Sequence, residues 1–179
     1  MTEKIRLDDK QIRSHLHKIV RDMTRDNWRP DYIVGLTRGG LIAGVMLSQY
    51  LEIPLHTLNV SLRDADIGPE SNLWMAEDAF GHLDYDPMCS GDGRKQILIV
   101  DDINDTGATL NWVMDDWQSG CYPDNERWNL IWNNSVRFAT IVDNLASKCK
   151  VKMNYVGMEI NKEENPSWIV FPWEAWWEN

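Results

Sequence analysis

The 179-residue sequence lacks most of the features that mark secreted, metal-binding and membrane proteins. It has only three cysteines, which are far apart and form no Cys-x-x-Cys pair, and this argues against a disulfide framework and a thiolate metal site. The four histidines also lack the spacing of metal ligands. The first residues include no apolar leader segment, and no apolar run approaches the roughly 18 residues that a membrane-spanning helix needs. We therefore expect a soluble protein of the cytoplasm.

Positive charge is also scarce. Lys and Arg number 18 against 28 Asp and Glu, which gives a net charge of −10. Domains that bind nucleic acid or an anionic membrane carry a basic surface, so we expect neither partner. An anionic ligand would have to be held by local backbone dipoles, a few cations or a bound divalent ion, against an unfavourable overall field.

The hydrophobic pattern predicts an α/β fold. Apolar residues recur at helical spacing over 8–26, and further helices are predicted at 41–51 and 107–118. Short aliphatic strands are predicted between and after them, at 31–36, 55–60, 97–100, 138–142 and 154–160. This alternation is typical of a mostly parallel central sheet flanked by helices. The length fits a single domain that spans residues 1–179.

The most informative segment of the sequence is 96–110. Its aliphatic run ends in Asp101 and Asp102, a third carboxylate follows at Asp105, and a turn of small residues leads into a helical pattern. The change from aliphatic to acidic residues indicates the carboxyl end of a strand, where open α/β sheets bind ligands. The turn offers backbone N–H groups at a helix start, and such groups bind phosphate. The segment therefore predicts a site for a phosphate-bearing ligand that also carries hydroxyls, a cation or a developing positive charge.

Two alternatives exist for this segment. The structural one is a buried strand followed by a helix N-cap at Asp105 or Thr106, which accounts for one acid but not for three. The hydrolytic one is a phosphatase or nucleotidase with Asp101 as its nucleophile. That class needs Asp-x-Asp after the strand, and the Asp-Asp at 101–102 does not supply it.

Residues 97–109 resemble the phosphoribosyl diphosphate (PRPP) motif of type I phosphoribosyltransferases, which is an aliphatic strand, Asp-Asp, two residues, Asp-Thr-Gly, a small residue and Thr. The resemblance implies that family's fold, with a mostly parallel sheet, a flexible lid loop and a small C-terminal hood. It implies that Asp101 and Asp102 hold the ribose hydroxyls of PRPP, directly or through waters of a bound Mg²⁺. It assigns Asp105 as the group that takes a proton from the base. The 5′-phosphate is then expected at a loop made of Thr106, Gly107, Ala108 and Thr109.

An earlier segment agrees with this motif. Residues 34–40 resemble the family's diphosphate loop, in which a strained peptide before a glycine turns backbone N–H groups toward the leaving group. The resemblance assigns diphosphate binding to Thr37, Arg38 and Gly39, with the Arg38 guanidinium facing the diphosphate oxygens. Taken alone, the same residues are an ordinary strand-to-helix turn with a surface arginine.

Two long polar stretches lie between the predicted elements. Residues 61–95 stand where the family has its lid, and the resemblance implies that they close over the diphosphate and exclude water. Within them, 72–80 is predicted to form a short helix or hairpin arm. Arg63, Arg94 and Lys95 are the candidate cations of the lid, although simple solvation explains their charge equally well. Residues 120–135 are predicted to be an insertion between elements.

The tail, from about residue 160 to 179, resembles the base-binding hood of the purine branch, especially of xanthine-guanine and hypoxanthine phosphoribosyltransferases. There an aromatic ring stacks on the base and the backbone of the next residue meets its edge, which implies base binding by Trp168 and Ile169. Trp173 is expected in the core. In that branch a lysine after a short strand usually binds the 6-oxo group of the base. Here Asn144 stands near its place, and its amide is the candidate donor.

The resemblance as a whole implies an enzyme that transfers the phosphoribosyl group of PRPP to hypoxanthine, guanine or xanthine, with Mg²⁺ as cofactor and release of diphosphate. Two other functions are open from the sequence: a non-catalytic PRPP-sensing regulator, and transfer to a pyrimidine or modified base. Members of the family are commonly dimers or tetramers, so a homo-oligomer is expected.

Overall fold

The computed structural model describes residues 3–60, 62, 68–83, 91–174 and 176–178. The strands are β1 (Glu3–Arg6), β2 (Tyr32–Thr37), β3 (Leu55–Asn59), β4 (Ile97–Asn104), β5 (Val136–Asn144), β6 (Tyr155–Ile160) and β7 (Ser167–Val170). The helices are α1 (Asp9–Arg25), α2 (Gly39–Leu51), α3 (Leu73–Phe80) and α4 (Ala108–Gly120), and short 3-10 helices span Glu126–Leu130 and Trp176–Glu178. No helix in these described ranges is both long and apolar enough to cross a bilayer.

Five strands form the central sheet in the order β3-β2-β4-β5-β6, and every neighbouring pair is parallel. The α/β fold with a parallel sheet is therefore confirmed. Because the strands are parallel, their carboxyl ends meet at one edge of the sheet. Thr37, the acidic end of β4, Asn144 and the residues after β6 consequently face the same side of the molecule.

The central strand β4 is covered on both faces. Ile97 and Ile99 pack into the cluster that includes α3 and α4, whereas Leu98 and Val100 pack into the cluster that includes α1 and α2. All four side chains are essentially inaccessible, and burying each contributes about 1.5–3 kcal/mol relative to exposure. The sequence pattern indicated that this strand ends at Val100, but it does not. It continues to Asn104, so the first two acidic residues belong to the strand itself.

The first helix follows its sequence signals closely. Asp8 caps α1 in a capping box, because its side chain accepts from the Gln11 N–H and the Gln11 side chain accepts from the Asp8 N–H. The buried face of α1 is the predicted apolar stripe, Ile12, Leu16, Ile19, Val20 and Met23. This face packs against the central sheet, mainly over β6 and β5.

A second, two-stranded sheet joins the two ends of the chain. The tail strand β7 pairs in parallel with β1, with Lys4 opposite Trp168 and Ile5 opposite Ile169. The short polar sequence of β1 contains no strand pattern, and the strand forms because β7 offers its free backbone edge. The tail is thereby fixed over the core, with Ile169 and Phe171 buried.

The described parts of the two long polar stretches contribute to the core. Residues 72–80, predicted as a short helix or hairpin arm, form α3 (Leu73–Phe80), and its Met75, Ala76, Ala79 and Phe80 are buried. The 120–135 segment also contains a buried residue. Its Trp128 is buried, stacks on Trp132 at 5.2 Å between ring centroids and donates to the Cys121 carbonyl at 2.8 Å.

Candidate active site

The turn between β2 and α2 lies directly against the acidic end of β4. The peptide bond between Thr37 and Arg38 is cis, and the next two residues are glycines in close contact with the neighbouring strand. A β-carbon at position 39 would lie 1.7 Å from Asp102 Oδ2, and one at position 40 would lie 2.4 Å from the Val100 carbonyl oxygen. Only glycine permits this approach, so the Gly-Gly sequence brings the predicted diphosphate loop and the acidic pair together.

Asp101 and Asp102 are adjacent and partly buried. Burial raises the pKa of Asp101 well above its ordinary value, and the neighbouring charge of Asp102 raises it further. Burial likewise raises the pKa of Asp102 to about 6, with a smaller contribution from the charge of Glu174 in the tail. Two carboxylates held this close in a poorly hydrated place favour a ligand that offers them hydroxyl donors or positive charge.

The donor set at this position suits Mg²⁺. Proteins usually bind Mg²⁺ through one or two carboxylates together with substrate phosphates, not through a complete protein cage. Within the described ranges, no three His, Cys, Asp or Glu side chains group together as a metal site. The two buried carboxylates therefore fit a magnesium ion that shares its coordination with substrate oxygens.

The loop after β4 packs against the segment that follows β5. Gly107 has a φ of +86°, and a β-carbon there would lie 2.3 Å from the Cys149 nitrogen. The Thr106 carbonyl accepts from the Lys148 N–H at 3.0 Å, and Thr106 Oγ1 accepts from the Ala108 N–H at 3.3 Å. Gly107 is the residue before α4 and has no side chain that could cap this helix. The loop thus presents a helix N-terminus and two threonine hydroxyls, as the phosphate prediction requires.

Asp105 makes no cap hydrogen bond to α4. Its carboxylate accepts from the Lys162 ammonium, with 2.8 Å between Oδ1 and Nζ. Its carbonyl accepts from the Asn144 side chain at 2.8 Å. The sequence did not identify Lys162, because this residue lies 57 positions away in the chain and belongs to no recognised motif. The only available signal was its position just after a predicted strand of the parallel sheet.

Asn144 is buried, and its amide makes three hydrogen bonds within the protein. Besides donating to Asp105, it accepts from the Ala146 N–H at 3.2 Å and from the Lys162 N–H at 3.1 Å. These contacts connect the ends of β4, β5 and β6. The geometry favours a positioning role for Asn144 over the base contact expected from the sequence.

A cleft of about 310 Å³ opens at this edge of the sheet. It combines the predicted proton acceptor with the start of the phosphate loop and with two lysines. Its lining residues are Asp105, Thr106, Asn144, Ala146, Lys148, Lys162 and Glu163.

The tail presents one tryptophan and buries another. Trp168 is 48% exposed, whereas the neighbouring Ile169 is buried with its side chain in the core. The ring of Trp173 stacks on Phe171 at 4.9 Å and packs against the core, as expected for this residue. Trp168 therefore has a free ring face, while Ile169 can meet a ligand only through its backbone.

Comparison with known proteins agrees with this geometry. The phosphoribosyl transferase domain family matches residues 5–178. The chain belongs to this family.

Named relatives of this phosphoribosyltransferase cover most of its length. Xanthine phosphoribosyltransferase 1 of Saccharomyces cerevisiae is 23% identical over 190 residues, which covers 90% of this chain and 87% of that protein. Hypoxanthine-guanine phosphoribosyltransferase of Schizosaccharomyces pombe is 26% identical over 166 residues, covering 84% and 79%. The crystal structure of a purine phosphoribosyltransferase from Pyrococcus horikoshii has a TM-score of 0.65 at 24% identity and covers 97% of this chain and 96% of that one. The resemblance based on the sequence motifs is thus confirmed.

The cations expected near the diphosphate differ in their surroundings. Arg38 is exposed, and its guanidinium has no hydrogen bond or ion pair within the described part of this phosphoribosyltransferase. Arg94 instead pairs with Asp92 at 2.5 Å, and Lys95 is exposed. Arg63 lies outside the described residues. Of the three that lie in the described residues, Arg38 is the one next to Gly39, the residue that packs against Asp102.

A larger cavity lies away from this site. It measures about 500 Å³ and is lined by His17, Val20, Arg21, Thr24, Arg25 and Tyr50, which belong to α1 and the end of α2. It contains no carboxylate and no residue of the family's motifs. The motif-bearing edge of the sheet is therefore the candidate active site of this phosphoribosyltransferase, although its cleft is the smaller one.

Proposed function

We propose that the protein transfers the phosphoribosyl group of PRPP to a purine base (hypoxanthine, guanine or xanthine), in purine salvage. The observation that carries this proposal is the contact of Gly39 with Asp102. It brings the predicted diphosphate loop against the acidic pair, and the predicted phosphate loop follows that pair directly in the chain, between β4 and α4.

Each part of this surface has a distinct task toward PRPP. The N–H groups and hydroxyls of 106–109 bind the 5′-phosphate and so orient C1 of the ribose. The 37–39 peptides and the Arg38 guanidinium bind the diphosphate. Asp101 and Asp102 accept from the 2′- and 3′-hydroxyls, and their charge stabilises the positive charge that develops on the ribose ring.

Asp101 and Asp102 are also the residues that would hold Mg²⁺, through the ribose hydroxyls or through water. When bound, the ion would neutralise charge on the leaving diphosphate. The raised pKa values of the two carboxyls are consistent with this role, since carboxyls that are costly to ionise alone become ionised beside a cation.

Base transfer joins a purine ring nitrogen to C1 while the bond from C1 to the diphosphate oxygen breaks. Asp105 takes the proton that the base loses. In this proposal the exposed ring of Trp168 stacks on the base, and the backbone of Ile169 meets the edge of the base, as the family resemblance implies. In this proposal Asn144 holds Asp105 in position and does not itself bind the base.

The decisive experiment is incubation with PRPP, Mg²⁺ and a panel of bases, with detection of diphosphate and of the nucleoside monophosphate. Release of both with hypoxanthine, guanine or xanthine supports the proposal. Release only with a pyrimidine or a modified base would assign a different acceptor. Binding of PRPP without release for any base would assign a non-catalytic regulator, an alternative that the presence of Asp105 disfavours. A reaction without base measures simple hydrolysis and is the control.

The assembly and the location of the protein are also proposals. A homo-oligomer, either dimer or tetramer, is proposed because members of the family are commonly dimers or tetramers. Light scattering on the purified protein tests it. A cytoplasmic location is proposed from the resemblance to the purine branch of the family.

A further inference from the structure

The loop of residues 106–109, which is proposed to bind the 5′-phosphate, packs on a distant part of the chain. Its Gly107 has a φ of +86° and no side chain that could anchor it, and glycine is the residue with the widest choice of backbone conformations. A β-carbon there would lie 2.3 Å from the Cys149 nitrogen and 2.6 Å from the Cys149 Cα, so the backbone of Cys149 is in direct contact with the loop. The shape of the loop therefore depends on the position of residues 148–150.

Asn111, one turn into α4, holds this segment on both sides of Cys149. Its side-chain amide donates to the Lys148 carbonyl at 3.0 Å, and its Oδ1 accepts from the Lys150 N–H at 2.8 Å. Its backbone N–H donates to the Gly107 carbonyl at 2.9 Å. One residue thus connects the loop, the helix that follows it and the segment packed on it.

A second contact joins α4 to the same segment, but it is of a weaker kind. The Lys150 ammonium pairs with Asp115, and the two side chains are 53% and 62% exposed. Exposed ion pairs of this kind contribute little to stability, because both side chains stay hydrated and mobile. Among the described residues, Asn111 is therefore the main hydrogen-bonding link between α4 and residues 148–150.

A loop that is fixed before its ligand arrives binds an anion more tightly than a mobile one. Backbone N–H groups bind phosphate in one arrangement, and a mobile loop loses conformational entropy each time it adopts that arrangement. The advantage is larger in a chain with a net charge of −10, because prearranged dipoles must act against an unfavourable overall field. The contacts of Asn111 restrict the loop in this way in the ligand-free protein.

We propose that Asn111 is a positioning residue for the 5′-phosphate of PRPP. Its amide holds residues 148–150 on Gly107 and so keeps the N–H groups of 106–109 in the arrangement that binds phosphate. Asn111 acts through the loop and does not itself contact the ligand. This inference rests on the proposed function, because it takes 106–109 as the phosphate loop.

The kinetic signature of this role differs from that of a residue that takes part in the chemistry. The 5′-phosphate is unchanged by the reaction, so the loop binds it equally well in the ground state and in the transition state. Removing such binding raises the KM and leaves kcat unchanged. We therefore expect Asn111→Ala to raise the KM for PRPP, with kcat and the KM for the base close to the parent values.

The direct test is calorimetry with the two halves of PRPP, ribose 5-phosphate and inorganic diphosphate, each in the presence of Mg²⁺. Asn111→Ala is expected to raise the Kd for ribose 5-phosphate about tenfold, as for the loss of one or two hydrogen bonds, and to leave the Kd for diphosphate within about twofold. Alanine is a better helix former than asparagine, so a weakened α4 cannot explain the loss. Asp115→Asn is the matched control, since it alters the exposed contact between α4 and the same segment, and it should change neither Kd.

Two results for Asn111→Ala would overturn the proposal. Equal weakening of both ligands would show that Asn111 only supports the fold, and an unchanged Kd for ribose 5-phosphate would show that the loop does not depend on it. A parent protein that does not bind ribose 5-phosphate would also overturn it. A parent protein that binds ribose 5-phosphate but transfers to no purine contradicts the proposed function alone, and the two Kd values then still decide the role of Asn111. Asn111→Leu, which keeps the size of the side chain without its hydrogen bonds, is the second variant if Asn111→Ala does not fold.

Discussion

Gly39 and Asp102 are in such close contact that a β-carbon at position 39 would lie 1.7 Å from Asp102 Oδ2. The contact joins a turn after β2 to the end of β4. It means that the groups predicted for the diphosphate and for the ribose cannot be changed independently of each other.

Gly39→Ala is expected to impair PRPP use more than folding. The clash is with the end of a side chain, so Asp102 can rotate away at modest cost, but it then leaves the position where it is proposed to meet the ribose. We expect the KM for PRPP to rise about tenfold or more, and the free energy of unfolding to fall by about 1 kcal/mol. Steady-state kinetics and urea denaturation measure the two effects.

Gly120→Ala is the control for this change. Position 120 is the last of α4, and a β-carbon there would be in ordinary contact with Leu73 at 3.5 Å. This variant should keep the parent KM. If Gly39→Ala does so as well, the contact between the turn and Asp102 has no part in PRPP binding.

Gly40→Ala, in contrast, is expected to impair folding more than PRPP use. Here the added β-carbon would lie 2.4 Å from the Val100 carbonyl oxygen and 2.7 Å from the Asp101 Cα. Backbone atoms cannot rotate away, so α2 must shift from the sheet. We expect the free energy of unfolding to fall by about 1–3 kcal/mol, measured by urea denaturation against Gly120→Ala. A variant as stable as the parent would contradict this packing.

Asp102→Asn is expected to stabilise the ligand-free protein at alkaline pH. The pKa of Asp102 is raised to about 6, whereas an unfolded aspartate titrates near about 4. The folded protein therefore binds this proton more tightly than the unfolded chain does. The proton's contribution to the free energy of unfolding is fully present below about pH 4 and is lost as the pH rises through about 6. The Asp102→Asn substitution removes this ionisation. It should therefore raise the free energy of unfolding by about 1–3 kcal/mol at pH 8 and leave it unchanged near pH 4.

Urea denaturation at both pH values, without divalent cations, measures this difference. Asp115→Asn is the control for the substitution itself, since the Asp115 carboxylate is 62% exposed. A stability difference for Asp102→Asn that is equal at both pH values would show that the Asp102 carboxyl is not costly to ionise.

Asp105→Asn is expected to slow transfer while sparing PRPP binding. An amide in place of the carboxylate cannot take the proton, and general-base contributions are typically about 100- to 10,000-fold in rate. We expect kcat to fall within that range and the KM for PRPP to change little. Asp115→Asn again serves as control, because that carboxylate also pairs with a lysine. Unchanged turnover would remove Asp105 from the reaction.

Trp168→Ala is expected to weaken binding of the base alone. The exposed ring of Trp168 is proposed to stack on the base, and aromatic pairs contribute about 0.5–1.5 kcal/mol beyond area burial. The KM for the base should rise about threefold to tenfold or more, while the KM for PRPP should not. Trp176→Ala removes another exposed tryptophan of the tail, 70% exposed, and should change neither. A rise in both constants for Trp168→Ala would indicate a structural role for the ring.

Elements with strong local patterns were predicted well. The apolar stripe and the capping box of α1 lie within the helix itself, and the aliphatic run of β4 is buried on both faces as its composition indicated. The boundaries were less accurate. The carboxylates of Asp101 and Asp102 suggested that β4 had ended, but pairing with β5 extends the strand to Asn104.

Elements that depend on distant partners were missed or misjudged. The Glu-Lys-Ile-Arg sequence of β1 has no strand pattern, and only the edge of β7 makes it a strand. The polar composition of 120–135 concealed a buried anchor at Trp128, whose partner Phe80 lies in the 61–95 stretch. Neither contact produces a periodic pattern of apolar residues in the sequence.

The sequence by itself determined the parallel sheet, the order of its motifs along the chain and the acidic carboxyl end of β4, because these depend on residues close together in the chain. Only the tertiary structure decided which groups meet across that edge. It placed Gly39 against Asp102, used the Asn144 amide for backbone contacts and brought Lys162 from beyond β6 to Asp105. The physical reason is that parallel strands bring their carboxyl ends to one edge whatever their separation in sequence, so residues far apart in the chain come within hydrogen-bond distance there.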